Sequence, residues 1–92
     1  MIGGFRHKGL KLLYEANDRS RLPAEHVGRI RVILAVLDGA DRPEDADVHS
    51  FRLHRLRGER AGSWAVTVRA NWRIVFRFEE GRALDIDLVD YH

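Results

Sequence analysis

The chain has no cysteine, which excludes disulfides, thiolate metal sites and a thiol nucleophile together and is compatible with a reducing compartment. No apolar stretch approaches the ~18 residues of a membrane span. The opening Met1-Ile2-Gly3-Gly4-Phe5-Arg6-His7-Lys8 lacks the apolar region of a signal peptide. A cytoplasmic protein without membrane association is expected. Several chemical motifs are missing as well. His7, His26, His49, His54 and His92 fall into no HExxH or paired Cys/His spacing, so no metal or other cofactor is expected. Ser20, Ser50 and Ser63 have neither a GxSxG elbow nor an adjacent base. The Gly3-Gly4 pair is not followed by GK[ST], which removes a phosphate-binding glycine loop.

What is present suffices for one domain over residues 1–92. A chain of this length buries roughly 60 to 65% of its unfolded surface, and a hydrophobic share of 45% with 33% charged residues fits a globular protein rather than a disordered one. Leu10, Leu13 and Tyr14 share one side of a short helix over Lys8–Glu15. Pro23 suits a first helical turn and Glu25 favours the positive end of the dipole, so a longer helix runs from there to a stop near Gly39. Val27, Ile30, Leu34 and Leu37 form its core stripe, Ile33 widens it, and Arg29 and Arg31 point elsewhere. An acidic connection, Asp41 to Asp47, carries one helical turn beginning at Pro43.

From about Ser50 the period becomes two. Trp64, Val66 and Val68 lie opposite Thr67 and Arg69, and Trp72, Ile74, Phe76 and Phe78 alternate with Arg73, Val75, Arg77 and Glu79. Turns at Arg69-Ala70-Asn71 and Glu80-Gly81 join these strands to a last one, in which Leu84, Ile86 and Leu88 alternate with Asp85, Asp87 and Val89. The expected fold class is α+β: two N-terminal helices packed on the Trp/Ile/Phe face of a small, mainly antiparallel twisted sheet. One small core uses up the apolar positions, so the free protein is expected to be a monomer.

Charge is distributed unevenly. Net charge is only +2 and the isoelectric point about 9.5. Yet Arg52, Arg55, Arg57, Arg60, Arg69, Arg73 and Arg77 face a single acid, Glu59, before Glu79, Glu80, Asp85, Asp87 and Asp90 gather at the end. Guanidinium presents a permanently charged planar fork, which makes phosphate, and so nucleic acid, the leading partner class over a merely solvated basic face. His54 sits among the arginines, and Asp90-Tyr91-His92 follows the last strand. Such acid/base types beside an anion site suit RNA scission without metal. In that reaction the RNA supplies its own 2′-hydroxyl, a base removes its proton, an acid protonates the departing 5′-oxygen, and cations stabilise the phosphorane. Histidine, with an ordinary pKa of about 6.5, serves either role.

Phe5-Arg6-His7-Lys8-Gly9-Leu10, Phe51-Arg52-Leu53-His54-Arg55-Leu56-Arg57-Gly58, the run from Trp64 to Phe78 and the terminal Asp90-Tyr91-His92 resemble the HigB toxins of the RelE/ParE superfamily. The resemblance implies a RelE-like fold and a ribosome-dependent mRNA interferase. Such a toxin cleaves messenger in the A site of the 70S ribosome and is held inactive by a HigA-type helix-turn-helix antitoxin, through which alone it meets operator DNA. By matching positions, His54, Asp90, Tyr91 and His92 are expected to carry cleavage, with Arg57, Arg69, Asn71 and Arg73 around the RNA phosphate. Where the family often has His-Pro-Leu-Lys-Gly, this chain has His54-Arg55-Leu56-Arg57-Gly58, which keeps the cation and loses a rigid proline.

Two other readings compete. A ParE-like relative shares the scaffold but blocks a protein such as DNA gyrase, and a plain binding surface has no need of converging proton donors and acceptors. A stand-alone DNA-binding module needs a recognition helix, whereas the second helix commits its apolar stripe to the core and no turn-linked partner follows.

Overall fold

In the computed structural model, which describes residues 1–91, both amphipathic segments are helices: α1 over Lys8–Ala16 and α2 over Ala24–Gly39. The ring of His7 caps α1 by accepting from the Leu10 amide at 3.2 Å, and Asn17, in the left-handed region, ends it. Pro23 stands one residue earlier than expected, at the cap of α2 rather than inside its first turn. Val27, Ile30, Ile33, Leu34 and Leu37 are all buried. A 3-10 turn over Pro43–Ala46 and another over His49–Phe51 lead into the sheet.

The sheet is four-stranded, in the order β1 (His54–Arg55), β2 (Trp64–Arg69), β3 (Trp72–Glu79) and β4 (Arg82–Asp90), each antiparallel to the next. This is the α+β arrangement expected. Val66, Val68, Ile74, Phe76, Ala83, Ile86 and Leu88 face the helices and join their apolar stripes in one core, where each fully buried large side chain contributes roughly 1.5 to 3 kcal/mol. Glu80 and Gly81 both have positive φ, as a two-residue hairpin between twisted strands requires. Among the described residues, no helix is long and apolar enough to cross a membrane.

Three features depart from the simple alternation. In β4 the register shifts opposite Val75 and Arg77, and Asp85 sits at φ 52. A bulge there displaces the phase, so Ala83 rather than Leu84 joins Ile86 in the core. Secondly, the face away from the helices is not uniformly polar: Leu56, Ala65 and Val75 form a small apolar cluster with Val89 against it. Thirdly, Arg29 does not point away. Its Nη2 donates to the carbonyls of Ser50 at 2.6 Å and Thr67 at 3.2 Å, and its guanidinium lies 4.9 Å from the Phe51 ring, tying α2 to the sheet.

The N-terminal segment also takes part. Ile2 and Phe5 bridge Ala83 and Ile86 in parallel, with the Gly3 amide donating to Ala83 O at 2.7 Å and the Arg6 amide to Ile86 O at 2.8 Å. The outer edge of β4 is thereby covered. Space at Gly3 is tight, since a Cβ there would meet Leu84 Cδ2 at 2.6 Å and the Leu84 side chain would have to shift to admit it.

Asp85 is not the ordinary solvent-facing carboxylate its place in the alternation suggests. It accepts from Arg77 Nε at 2.6 Å, while Arg77 Nη1 binds Glu79. The hydrogen bond from Arg77 holds the Asp85 carboxyl below its usual value of 3.8. A depressed folded pKa stabilises the fold above the unfolded value, and that contribution is lost as pH falls through the folded one. Asp85→Asn keeps a side chain that tolerates positive φ and removes only the charge. It should lower urea stability at pH 7 by a small margin, both groups being half exposed, and the difference from wild type should vanish at an acidic pH below the depressed folded value. Equal stability at both pH values would show that the pair contributes nothing.

Candidate active site

The far end of the sheet is organised by the turn between β2 and β3. A register shift between Thr67 and Arg69 sets Arg69 opposite Trp72 at the turn, leaving Arg69 and Asn71 exposed. Arg73 is half-buried and folds back on this turn, its Nη1 donating to Ala70 O at 2.5 Å and Trp72 O at 3.2 Å. The other guanidinium nitrogens are outside these bonds. Asp90 pairs with Trp72 at the end of β4, and the next residue is still tied down, the Tyr91 amide donating to Asn71 O at 2.7 Å. Arg69, Asn71, Arg73, Asp90 and Tyr91 thus converge on one corner. Tyr91 keeps 38% of its surface exposed. His92 lies outside the described residues.

His54 and Arg57 form a second group. His54 pairs with Ala65, which pairs with Val75, so its side chain shares their face of the sheet. Arg73, paired with Thr67 two residues along β2, lies on that face as well, about 10 Å across and about 7 Å along the sheet from His54. His54 and Arg73 therefore share a face without touching by register, whereas Asp90, opposite Trp72 and two residues beyond Leu88, is in phase with the helix side of the sheet at that corner.

The hydrogen bonding of the His54 ring is set two residues before the edge strand. Arg52 adopts the left-handed region, φ 54 and ψ 52, and its carbonyl lies 3.0 Å from His54 Nδ1. A carbonyl only accepts, so Nδ1 carries the hydrogen and Nε2 is the nitrogen left to exchange a proton. The ring opens into a cavity of about 590 Å³ lined also by Arg57, Ala61 and Gly62. Arg57 is exposed there. Arg55, one residue from His54, is instead stacked 5.0 Å over the Trp64 ring. Nothing in the sequence pattern signals the Arg52 conformation or the stacking of Arg55.

Arg57, Gly58 and Glu59 are held by a compact loop. The Leu56 amide donates to Ser63 O at 2.9 Å, Ala61 N to Gly58 O at 3.0 Å and Ser63 N to Arg60 O at 3.0 Å. Gly58, at φ +69, supplies the conformation a side chain resists. Among the described residues no three of His, Asp and Glu converge on a position that holds a metal ion. Arg77, bound to Asp85 and Glu79, does not add to the open positive charge that its place in the basic run implies.

Leu56 fastens that loop to Ala65 and Val75. Leu56→Ala should cost about 2 kcal/mol in urea denaturation and accelerate amide exchange at Ala61 and Ser63. Unchanged exchange at those amides would mean that the loop is ordered without its apolar anchor.

A family model described as the RelE-like toxin of the type II toxin-antitoxin system HigB matches residues 3–92. A curated relative from Proteus vulgaris, named Endoribonuclease HigB, is 46% identical over 92 residues, covering all of both chains. The His54 surface and the Asp90 corner therefore stand on a chain that belongs to the HigB family of RelE-like type II toxins.

Proposed function

We propose that the protein is an endoribonuclease that cuts messenger in the A site of the 70S ribosome, without a metal, and is held inactive by a HigA-type helix-turn-helix antitoxin. The full-length match to a protein named an endoribonuclease supports the activity. The observation that carries the chemistry is His54, whose Nδ1 is committed to the Arg52 carbonyl while the ring opens into a cavity shared with Arg57.

Transfer of the phosphorus bond from the 5′-oxygen to the 2′-oxygen is an in-line displacement, so base and acid belong on opposite sides of the phosphate. His54 on the edge strand and Asp90 at the corner of the sheet, well apart from each other, suit that division. Asp90 or His92 takes the 2′-hydroxyl proton, and the 2′-oxygen bonds to phosphorus. His54, protonated on both nitrogens, gives its Nε2 proton to the leaving 5′-oxygen and ends neutral with the Arg52 bond intact. Arg57, Arg69 and the uncommitted donors of Arg73 stabilise the phosphorane. Asn71 and the ring of Tyr91 hold the flanking nucleotide by hydrogen bonding and stacking.

His54→Gln should lower single-turnover cleavage in ribosomal complexes by about 10² to 10⁴ with binding retained; full activity would remove His54 from the chemistry. The chemical signature is a 2′,3′-cyclic phosphate or 3′-phosphate. Because EDTA dismantles ribosomes by removing their magnesium, the decisive substrate is messenger with one 2′-deoxy nucleotide at the scissile position in intact complexes. It should not be cut there. Efficient cutting, or products ending in a 3′-hydroxyl, would overturn the mechanism.

A further inference from the structure

The segment that leads into the edge strand is tied to β2 at both ends. At its far end His54 pairs with Ala65. At its near end Arg29, on α2, donates from Nη1 to Ser50 Oγ at 3.1 Å and from Nη2 to Ser50 O at 2.6 Å, and the same Nη2 donates to Thr67 O at 3.2 Å. Thr67 stands two residues along β2 from Ala65. Ser50, Arg29, the stretch from Thr67 to Ala65 and His54 thus close a loop that encloses Phe51, Arg52 and Leu53. Phe51 is fixed within it: its amide donates to Val48 O at 2.8 Å, its ring is buried in the core, and the Arg29 guanidinium lies 4.9 Å from the ring centroid.

Arg52 is the residue this closure constrains. Its φ of 54 and ψ of 52 form a conformation that a side chain resists, and such a conformation persists where the surroundings determine it from both sides. The three-residue 3-10 turn His49–Phe51 does not supply that by itself, because 3-10 hydrogen bonding is poor in geometry and short in range. The polar contacts of Arg29 point the same way. Its Nε is buried without a hydrogen-bond partner among the described residues, which an apolar chain of similar length would avoid, while Nη1 and Nη2 are both bonded to the segment before His54.

We propose that Arg29 is a positioning residue for His54, an inference that rests on the nuclease reading for its catalytic consequence and on geometry alone for the state of the imidazole. By fixing Ser50 and Phe51 it keeps Arg52 left-handed, and so aims the Arg52 carbonyl at His54 Nδ1, 3.0 Å away. That acceptor holds a hydrogen on Nδ1 and leaves Nε2 as the exchanging nitrogen. Without Arg29, Arg52 relaxes to negative φ and its carbonyl turns away. The neutral imidazole is then free to carry its hydrogen on either nitrogen and to rotate.

The test reads the imidazole before it reads activity. In the full chain with ¹⁵N-labelled histidine rings, at a pH that leaves imidazole neutral, the His54 nitrogens are assigned by their loss in His54→Gln. Wild type should show a hydrogen on Nδ1 and none on Nε2; the reverse would overturn the inference without any variant. Arg29→Met, which keeps the length, and Arg29→Lys, which keeps the charge without the fork, should both lose that single state. In ribosomal complexes the same variants should slow single-turnover cleavage by about ten- to a hundred-fold with ribosome affinity unchanged, as expected of a misplaced group rather than a missing one. If Arg29→Met fails to fold by circular dichroism, Arg29→Lys carries the comparison. Leu13→Ala, which loosens α1 in the core, controls for stability and should leave the tautomer as in wild type. An unchanged tautomer in folded Arg29→Lys, or an equal disturbance in Leu13→Ala, would overturn the positioning role. Wild-type toxin that leaves messenger uncut would instead sink the nuclease reading, with the tautomer result still standing.

Discussion

The pairing of β4 with β3 is the constraint on which the rest depends. It sets Ile74 against Leu88 and buries both on the helix face, and it carries the chain on until Asp90 lies opposite Trp72. One further bond, from the Tyr91 amide to Asn71 O, brings Tyr91 to the turn that Arg69 and Arg73 frame. Without this register the last residues would fray and present no fixed groups. The same alternation puts Arg73 and Val89, one residue out of phase with Ile74 and Leu88, on the other face, while Asp90 stays in phase with Leu88 where the sheet ends.

Arginine is the common currency of the chain, and environment divides its roles. Arg29 holds α2 to the sheet, Arg55 covers Trp64, and Arg77 is neutralised by Asp85 and Glu79. Arg57, Arg60 and Arg69 are exposed. Arg73 belongs to both groups, bracing the turn with one nitrogen while its remaining nitrogens lie outside those bonds. Lysine would not replace it evenly, since a single ammonium cannot present a planar fork in two directions. The positive surface is consequently narrower than the linear run of basic residues, and it is concentrated where His54 and the Asp90 corner lie.

Much of this was legible in the sequence because it follows from periodicity. The α2 stripe and the alternation from Trp72 to Phe78 specify which face is buried, and the Glu80-Gly81 pair specifies its turn. What periodicity misses is a change of phase or a local bond. Leu84 was assigned to the core face, and the bulge at Asp85 moved Ala83 there instead. Arg29 borders the apolar stripe, and its long stem lets the head reach two strand-side carbonyls that lie far off in sequence. The chemistry-bearing residue types were legible from their composition and from the resemblance. The Arg52 carbonyl that settles the His54 tautomer was not, since a left-handed arginine leaves no mark on residue type.

The missing proline between His54 and Leu56 illustrates how the same stiffness arises from other contacts. Proline would fix one φ angle and remove an N–H donor. Here Arg55 is held by strand pairing with Trp64 and by stacking over its ring, and Leu56 is buried against Ala65 and Val75. The Leu56 amide, which donates to Ser63 O, then closes the loop from its other end. Two side chains on opposite faces of one short strand clamp it more completely than a single fixed angle, because they restrain its position as well as its local conformation. Arg57 follows directly on this clamp, so the cation beside His54 starts from an anchored backbone while its own side chain is exposed at the cavity they share.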